Sequence, residues 1–588
     1  MCTNMIHNLQ TELHRQEEAT RNQNISRWKH AMKTNVSALS KWLRAREAPG
    51  NCAVRTAAGT VAMVVEETDI IHQFWVDFWD NHQSTLPPLD ERCNIIRQGV
   101  PASQQMVQFP TPTGIELCRY AQSAAGAAGC DGWCGQELRF WPLPVWQLVS
   151  QLISEAIDRN QIPKQFLQAR MVCIPKANKI SNGLVSPEHC RPLTIMSSIW
   201  RLWASCFYKT PAFQRWVREN FSPEIASMKH DDLYVHLITI FRDFQEKGFL
   251  LALDYEKAFD TLDPKVTKEL LLAHNWDPKL VNFLCNLWGS QERFLCWKYN
   301  TRKHFLKGPA QPQGDPLGPL IMSLWVQSGL RFVQSLFPDL DVRSTLYLDD
   351  RTITASSAPT LHAHWSAWDD WSRRVGLIES HNKAVCVSSR PKDAAQLSDV
   401  FSDQVQVANC ARVLGAVSVS GPRKLSSHEE SRVAACRRTI RLLSSMGLPL
   451  AVFFRTVGQF AMSKASFGWV CRSPPKTVSD KLWTACWVAA DRARYSSPFV
   501  RSILFGGVYH LDALWAARLV TALLRYSLRF QGCPPWSLRF GSPCATLNTW
   551  LLRCHWVRVR PWVWQHPLGG GQIGSFRSSF PSTRRWLD

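Results

Sequence analysis

Three aspartates stand where a chain would place them to hold a divalent cation. Asp254 ends the continuous apolar run 249–253, whose length predicts a buried strand delivering one carboxylate at its C-terminal end. Asp349 and Asp350 form a two-residue connection between the β-prone runs 344–348 and 351–355, the length of a tight hairpin. Such turns favour Asn-Gly or Asp-Gly, because positive φ is needed at their centre, yet this one offers two carboxylates and no glycine. A broken local rule marks a functional place, and paired acids on a rigid hairpin suit a hard divalent ion. Taken alone, Asp349-Asp350 reads more plainly as a solvated turn, and Asp254 reads equally well as the cap of a helix beginning at Tyr255.

Cations and a loop accompany them. Lys176 closes the strand-like run 170–175 and Arg191 opens the next ordered segment, so two bases on adjoining stretches of chain are placed to grip a triphosphate. Each is an ordinary surface charge by itself. Prolines on either side of Gly314 in the loop 308–319 fix a backbone able to approach a ligand closely, with a plain connector as the alternative. Cys130 and Cys134 lack a second ligand pair at zinc spacing and read as loop cysteines.

The positioning elements follow from pattern. The aromatic segment Phe74-Trp-Val-Asp-Phe-Trp79 predicts a helix face docked on a neighbouring domain. A helix is expected over 144–157, and Asp263 before Pro264 predicts an N-cap with proline at the first helical position. An apolar helix is expected over 320–333. Trp365, Trp368, Trp371 and Val375 recur at helical spacing, with Arg373 and Arg374 in the last turn and Gly376 as the stop. Strand-like segments follow at 384–387 and 413–415, and Ser427 with Glu430 predicts a capping box.

Composition bounds the partners. The 588 residues, 45% hydrophobic and 20% charged, suffice for roughly three or four globular domains. A net charge of +21 favours a polyanion such as nucleic acid over an anionic membrane surface. From residue 431 onward, 22 Lys and Arg face four acids, and basic residues alternate with aromatics between Trp550 and Trp564, as in a nucleic-acid channel. The tail from Gly569 is Gly/Ser/Arg-rich and is expected to be disordered. No apolar run has the length of a membrane span, and the first residues lack a signal peptide's apolar core. Nineteen cysteines without a C-x-x-C pair favour free thiols in an intracellular, reducing compartment.

In order and spacing the pieces resemble the retroelement reverse transcriptases, most closely those of non-LTR (LINE-like) retrotransposons. The carriers are Gly129-Cys-Asp-Gly-Trp133, Ile174-Pro-Lys176, Arg191-Pro-Leu193, Leu253-Asp-Tyr-Glu-Lys-Ala-Phe-Asp260, Gln313-Gly-Asp-Pro-Leu-Gly-Pro319, Tyr347-Leu-Asp-Asp350, Gly376-Leu with Lys383, and Leu414-Gly415. The resemblance covers about residues 120–420, more weakly to 560. It implies an α+β right-hand polymerase fold: an N-terminal extension of unassigned role at 1–115, fingers at 116–245, a palm with an antiparallel sheet at 246–422, a helical basic thumb-like region at 423–565 and a tail at 566–588. It implies an RNA-directed DNA polymerase using two Mg²⁺ ions, or Mn²⁺ in their place, with an RNA template, a DNA primer and dNTPs as partners, no membrane, and action in the nucleus or cytoplasm.

By the same resemblance Asp254, Asp349 and Asp350 hold the metals and Lys383 protonates the leaving pyrophosphate. Lys176, Arg191, Phe259, Gln313, Gly314 and Tyr347 shape the nucleotide pocket, with Phe259 as the gate against a 2′-hydroxyl. Leu414 and Gly415 form the primer grip. Gly318 stands where serine is common, Leu348 where many relatives have alanine, and residues 223–232 fit their motif poorly. An RNA-dependent RNA polymerase would carry glycine before the Asp-Asp pair and a polar residue at the gate, where this chain has Leu348 and Phe259. The other alternative is a silent retroelement relic that binds RNA. The acid-poor C-terminal third cannot supply the four carboxylates of a ribonuclease H, residues 1–115 show no endonuclease constellation, and no CCHC knuckle is present, so nicking of a target would need a separate domain.

Overall fold

The computed structural model describes residues 52–489, apart from short internal stretches of which 102–104, 229–232, 420–424 and 468–475 are the longest, together with scattered earlier positions and three short strands between residues 557 and 573. Most of the polar sequence before Arg46 and most of the basic sequence beyond residue 489 lie outside the described residues. The fold is mixed α+β.

Helices α1 (Glu67–Thr85) and α2 (Leu89–Gln98) come first, then α3 (Gly114–Ala121) and α4 (Leu143–Asp158). Strands β1 (Gln168–Pro175) and β2 (Cys190–Ile195) precede α5 (Ser198–Tyr208) and α6 (Leu233–Lys247). Strand β3 (Phe249–Leu253) leads to α7 (Pro264–Ala273), α8 (Pro278–Gly289), β4 (Glu292–Trp297) and β5 (Asn300–Lys307). Helix α9 (Gly318–Leu336) is followed by the hairpin β6 (Val342–Tyr347) and β7 (Asp350–Ala355), then α10 (Ala358–Val375). The last set is β8 (Val385–Ser388), β9 (Gln406–Val407), the hairpin β10 (Cys410–Val413) and β11 (Ala416–Val419), and α11 (Ser427–Ser444).

Two sheets carry the architecture. One has five strands in the order β9-β8-β3-β7-β6, antiparallel except for the β9-β8 pair. The other has four, β2-β1-β4-β5, so residues 292–307 pair back onto 168–195 and the two sheets interleave in sequence. Strand β3 is apolar on both faces because both are covered: Phe249, Leu251 and Leu253 join a core with Leu361 and Trp365, while Leu250 packs with Phe244 and Val413. The expected aromatic helix face is α1, whose Ile71, Trp75 and Trp79 pack on Met171, Cys173, Leu295 and Trp297 of the four-stranded sheet.

Local signals hold for most helices. Asp263 accepts from the Lys265 amide at 2.8 Å ahead of Pro264, and Gly376 ends α10 in the left-handed conformation at φ +91°. Three expectations need correction. The capping box is Ser426 with Glu429, one residue before the expected Ser427 and Glu430; both pairs have the right spacing, and the chosen one turns Val433, Cys436, Ile440 and Leu443 inward. Leu414 and Gly415 form the turn between β10 and β11, at φ +47° and +81°, rather than part of a strand. The strands Val557–Arg560, Val563–Gln565 and Gln572–Ile573 form a small sheet in the region expected to be helical and then disordered, since Val-x-Val alternation has the period of a strand.

Helices α9 and α10 cross where Gly329 meets Trp371: a Cβ on Gly329 would lie 2.7 Å from the Trp371 ring. Replacing Gly329 by alanine should lower stability by about 1–3 kcal/mol, the cost of overpacking a filled core, read as an earlier denaturant midpoint.

Candidate active site

The register of the five-stranded sheet brings the aspartates to one end. Leu253 of β3 pairs with Arg351 of β7, so the next residue outward on each strand is an aspartate, Asp254 and Asp350. Strand β3 ends there and the helix-cap alternative for Asp254 falls away. Tyr347, half-buried at the end of β6, pairs with Asp350, which makes Leu348 and Asp349 the two-residue loop, one position earlier than the sequence suggests. Leu348 takes the positive φ, +56°, in place of a glycine. The slip follows from burial: Arg351 through Ala355 are all buried, so β7 is fixed by its neighbours and the turn absorbs the strain.

Crowding the carboxylates disfavours their charged forms. Burial and then the nearby Asp254 raise the pKa of Asp349, and burial together with Asp349 and Asp254 pushes Asp350 up to about 6. Lys383 forms an ion pair with Asp254 Oδ2. The turn bearing it hangs from the same residue, since the Ser380 amide donates to the Asp254 carbonyl at 3.0 Å.

A basic patch lies beside them. Arg191, exposed on β2, pairs in register with Ile174, and the Lys176 amide donates to the His189 carbonyl at 2.9 Å. Burial, then Lys383, Lys257 and Arg191, lower the Lys176 pKa, while Asp254 opposes them. Residues 176, 191, 257, 383 and 254 therefore share one electrostatic neighbourhood. The Thr194 amide donates to the Gln313 carbonyl at 2.7 Å, and Gly314 sits at φ +131° where a Cβ would come within 2.4 Å of the Thr194 carbonyl oxygen. Only glycine fits there. Phe259 rides on the helical turn Ala258–Thr261, and a Cβ at Gly318 would touch its ring at 3.4 Å. The hairpin with Leu414 and Gly415 packs over β3, where Val413 meets Leu250, and its Arg412 favours the charged form of Asp350.

Sequence reasoning missed what holds the aspartates. Arg351, with a fully buried side chain, makes a bidentate pair with Glu379 at 2.7 and 2.5 Å, its guanidinium 3.6 Å from the centre of the Tyr255 ring. The Tyr255 hydroxyl accepts from Trp368 Nε1 at 3.0 Å and bonds Ser372 Oγ at 3.1 Å, and Ser372 donates to Glu379 at 2.7 Å. Burial pushes the Tyr255 phenol up to about 12. Tyr255 follows Asp254 and Arg351 follows Asp350; that adjacency was the available signal. Lys257 and Arg412 were likewise overlooked.

The donors fit a hard divalent ion: they are carboxylate oxygens, and in Asp349 and Asp350 burial and then neighbouring carboxylates disfavour a charged form that a cation would favour. Among the described residues no three His, Cys, Asp or Glu side chains close into a metal cage, and the aspartates line an edge.

Residues 174–417 match the family described as reverse transcriptase (RNA-dependent DNA polymerase). The chain is similar to the transposon TX1 uncharacterized 149 kDa protein of Xenopus laevis, 22% identical over 348 residues covering 54% of this chain and 26% of that protein. It is also similar to the retrotransposable element SLACS 132 kDa protein of Trypanosoma brucei gambiense, 23% identical over 279 residues covering 45% of this chain and 22% of that protein. The matched parts span about a quarter of the length of these relatives.

The raised carboxylate pKa sets a sign. A carboxyl whose folded pKa lies above its unfolded value favours folding in acid and loses that contribution as pH rises through the folded value, here about 6 for Asp350. Asp350→Asn should therefore raise the melting temperature at pH 8 in chelator and leave it nearly unchanged at pH 4, as scanning calorimetry can check.

Proposed function

We propose, from the match of residues 174–417 to the reverse transcriptase family and the similarity to a transposon protein and a retrotransposable-element protein, that this chain is an RNA-directed DNA polymerase. It copies retroelement RNA from a DNA primer with dNTPs. The observation that carries the reading is the meeting of Asp254, Asp349 and Asp350 on one sheet edge, facing a basic neighbourhood that includes Lys176, Arg191 and Lys383.

In this reading the five-stranded sheet is the palm. The four-stranded sheet, with 292–307 added to 116–245, belongs to the fingers, and the helices from α11 onward begin the thumb. Asp254, Asp349 and Asp350 would hold two magnesium ions, which when bound supply charge neutralisation at the attacking and leaving oxygens of an in-line phosphoryl displacement. Lys176 and Arg191 bind the triphosphate, and their like-charge repulsion is relieved by its phosphates. Lys383 holds the proton given to the departing pyrophosphate. Phe259 stands against the sugar, with Gly318 leaving room for its ring. Gln313 and Gly314 seat the base pair on β2, Tyr347 supports the hairpin, and Leu414 with Gly415 grips the primer end. The described cysteines are all free, which supports action in a reducing compartment, at nuclear DNA or in the cytoplasm.

Extension of a DNA primer on an RNA template with dNTPs and Mg²⁺ should yield product with the wild type and fall to background with Asp349→Ala. Incorporation that survives the substitution removes Asp349 from the metal site. Deleting residues 490–588, which hold 13 Lys and Arg against three acids, should weaken template binding and flatten its dependence on salt; an unchanged slope would place the channel elsewhere.

A further inference from the structure

Lys257 is strained. It takes the left-handed conformation at φ +48° immediately before the helical turn Ala258–Thr261, and its side chain makes no capping bond to that turn. A lysine visits this region only when its surroundings hold it there. The surroundings come from α1, 180 residues away in sequence. The Lys257 ammonium lies 4.8 Å over the Phe78 ring and 5.2 Å over Phe74, and its side chain is only 10% exposed. Phe74, Phe78 and His82 stack at successive four-residue steps, with centroids 6.4 and 6.2 Å apart. The neighbouring Trp79 donates through Nε1 to the Asp260 carbonyl at 3.2 Å and lies 5.6 Å beneath the Arg293 guanidinium. One face of α1 thus grips the turn at Lys257 and again at Asp260. Phe259 lies between the two grips.

We propose that α1, which precedes the family-matched residues 174–417, is a positioning element for sugar selection: Phe74 and Phe78 hold Lys257 left-handed and so fix the Phe259 ring in the nucleotide pocket. The inference rests on the polymerase reading above. A dNTP and an rNTP differ at the sugar by a single oxygen, so a steric gate discriminates only as well as its ring is held in place, and a small displacement lets the hydroxyl pass. Gly318 bounds the ring on its other side. With the aromatic row removed, Lys257 keeps only local ties, the ion pair with Glu256 at 3.3 Å and the Asp260 amide donating to its carbonyl at 2.8 Å, neither of which anchors it to α1, and Phe259 gains freedom to swing from the sugar. Phe74, Phe78 and Lys257 are then positioning residues that act through Phe259.

The test is the ratio of kcat/KM for a dNTP to that for the matching rNTP, measured with the full chain on an RNA template and DNA primer. A ratio is insensitive to the fraction of folded enzyme. Lys257→Met keeps the unbranched stem and removes the charge; Phe78→Leu keeps bulk and removes the ring face. Each should lower the preference for dNTP about tenfold. The double variant should fall no further than either single change, because both remove one contact. Phe259→Ala sets the floor. An active, selective wild type whose ratio is unchanged in both variants overturns the inference and leaves the polymerase reading standing, as does a loss of total activity at constant ratio. A wild type that extends no primer overturns both.

Discussion

Everything at the aspartate-bearing end of the sheet depends on a buried charge that cannot be left alone. Arg351 has no exposed side-chain surface, and Glu379, 6% exposed, is its counter-ion. Removing either partner of such a pair costs about 3–5 kcal/mol, because the other remains as an unpaired charge in a low dielectric. The pair is also a geometric lock. Arg351 stands on the Tyr255 ring, Tyr255 bonds to Ser372 and Trp368 of α10, and the Glu379 segment hangs from β3 through backbone bonds that include Glu256 to Ile378 at 2.8 Å. The strand carrying Asp254, the strand carrying Asp350 and the turn carrying Lys383 therefore share one set of fixed points. Hydrophobic packing fixes the layers of the sheet; the ionic network fixes the angle at which its acids leave it.

That rigidity is what allows like charges to crowd. Burial and Asp254 raise the pKa of Asp349, burial with Asp349 and Asp254 raises that of Asp350, and a flexible hairpin would let these groups part. Among the neighbouring bases the same economy runs with opposite sign, since Lys176 is depressed by burial and by Lys383, Lys257 and Arg191. Two groups of opposite charge, each internally frustrated, share one electrostatic neighbourhood. In the proposed function, cations at the aspartates and a polyphosphate at the bases are the groups whose arrival would relieve both.

Much of this was legible in the sequence because it was local. The apolar run ending in Asp254, the proline-flanked glycine and the tryptophan spacing of α10 each depend on neighbours within a turn or two. The hairpin was read one residue out because period-two alternation locates a strand better than its end, and the burial of β7 decided the register. Ser426 and Ser427, each followed at three residues by a glutamate, offer two equal caps; only the packing of α11 chooses. What stayed hidden is long-range. The contact of Trp79 with the Asp260 carbonyl joins residues 181 apart, and no pattern along the chain records it.

The interleaving of the two sheets bears on how the chain reaches this state during synthesis. Strand β1 finds its parallel partner only when residues 292–297 exist, and β3 gains its second neighbour only with residues 385–388. Neither sheet can finish from an N-terminal fragment, so β1 and β3 each wait with one side unpaired while more than a hundred further residues emerge. Such high contact order slows assembly and leaves the nascent chain exposed to aggregation; helix α1, ready early with its aromatic face, can cover one of those sheets only after the rest has arrived.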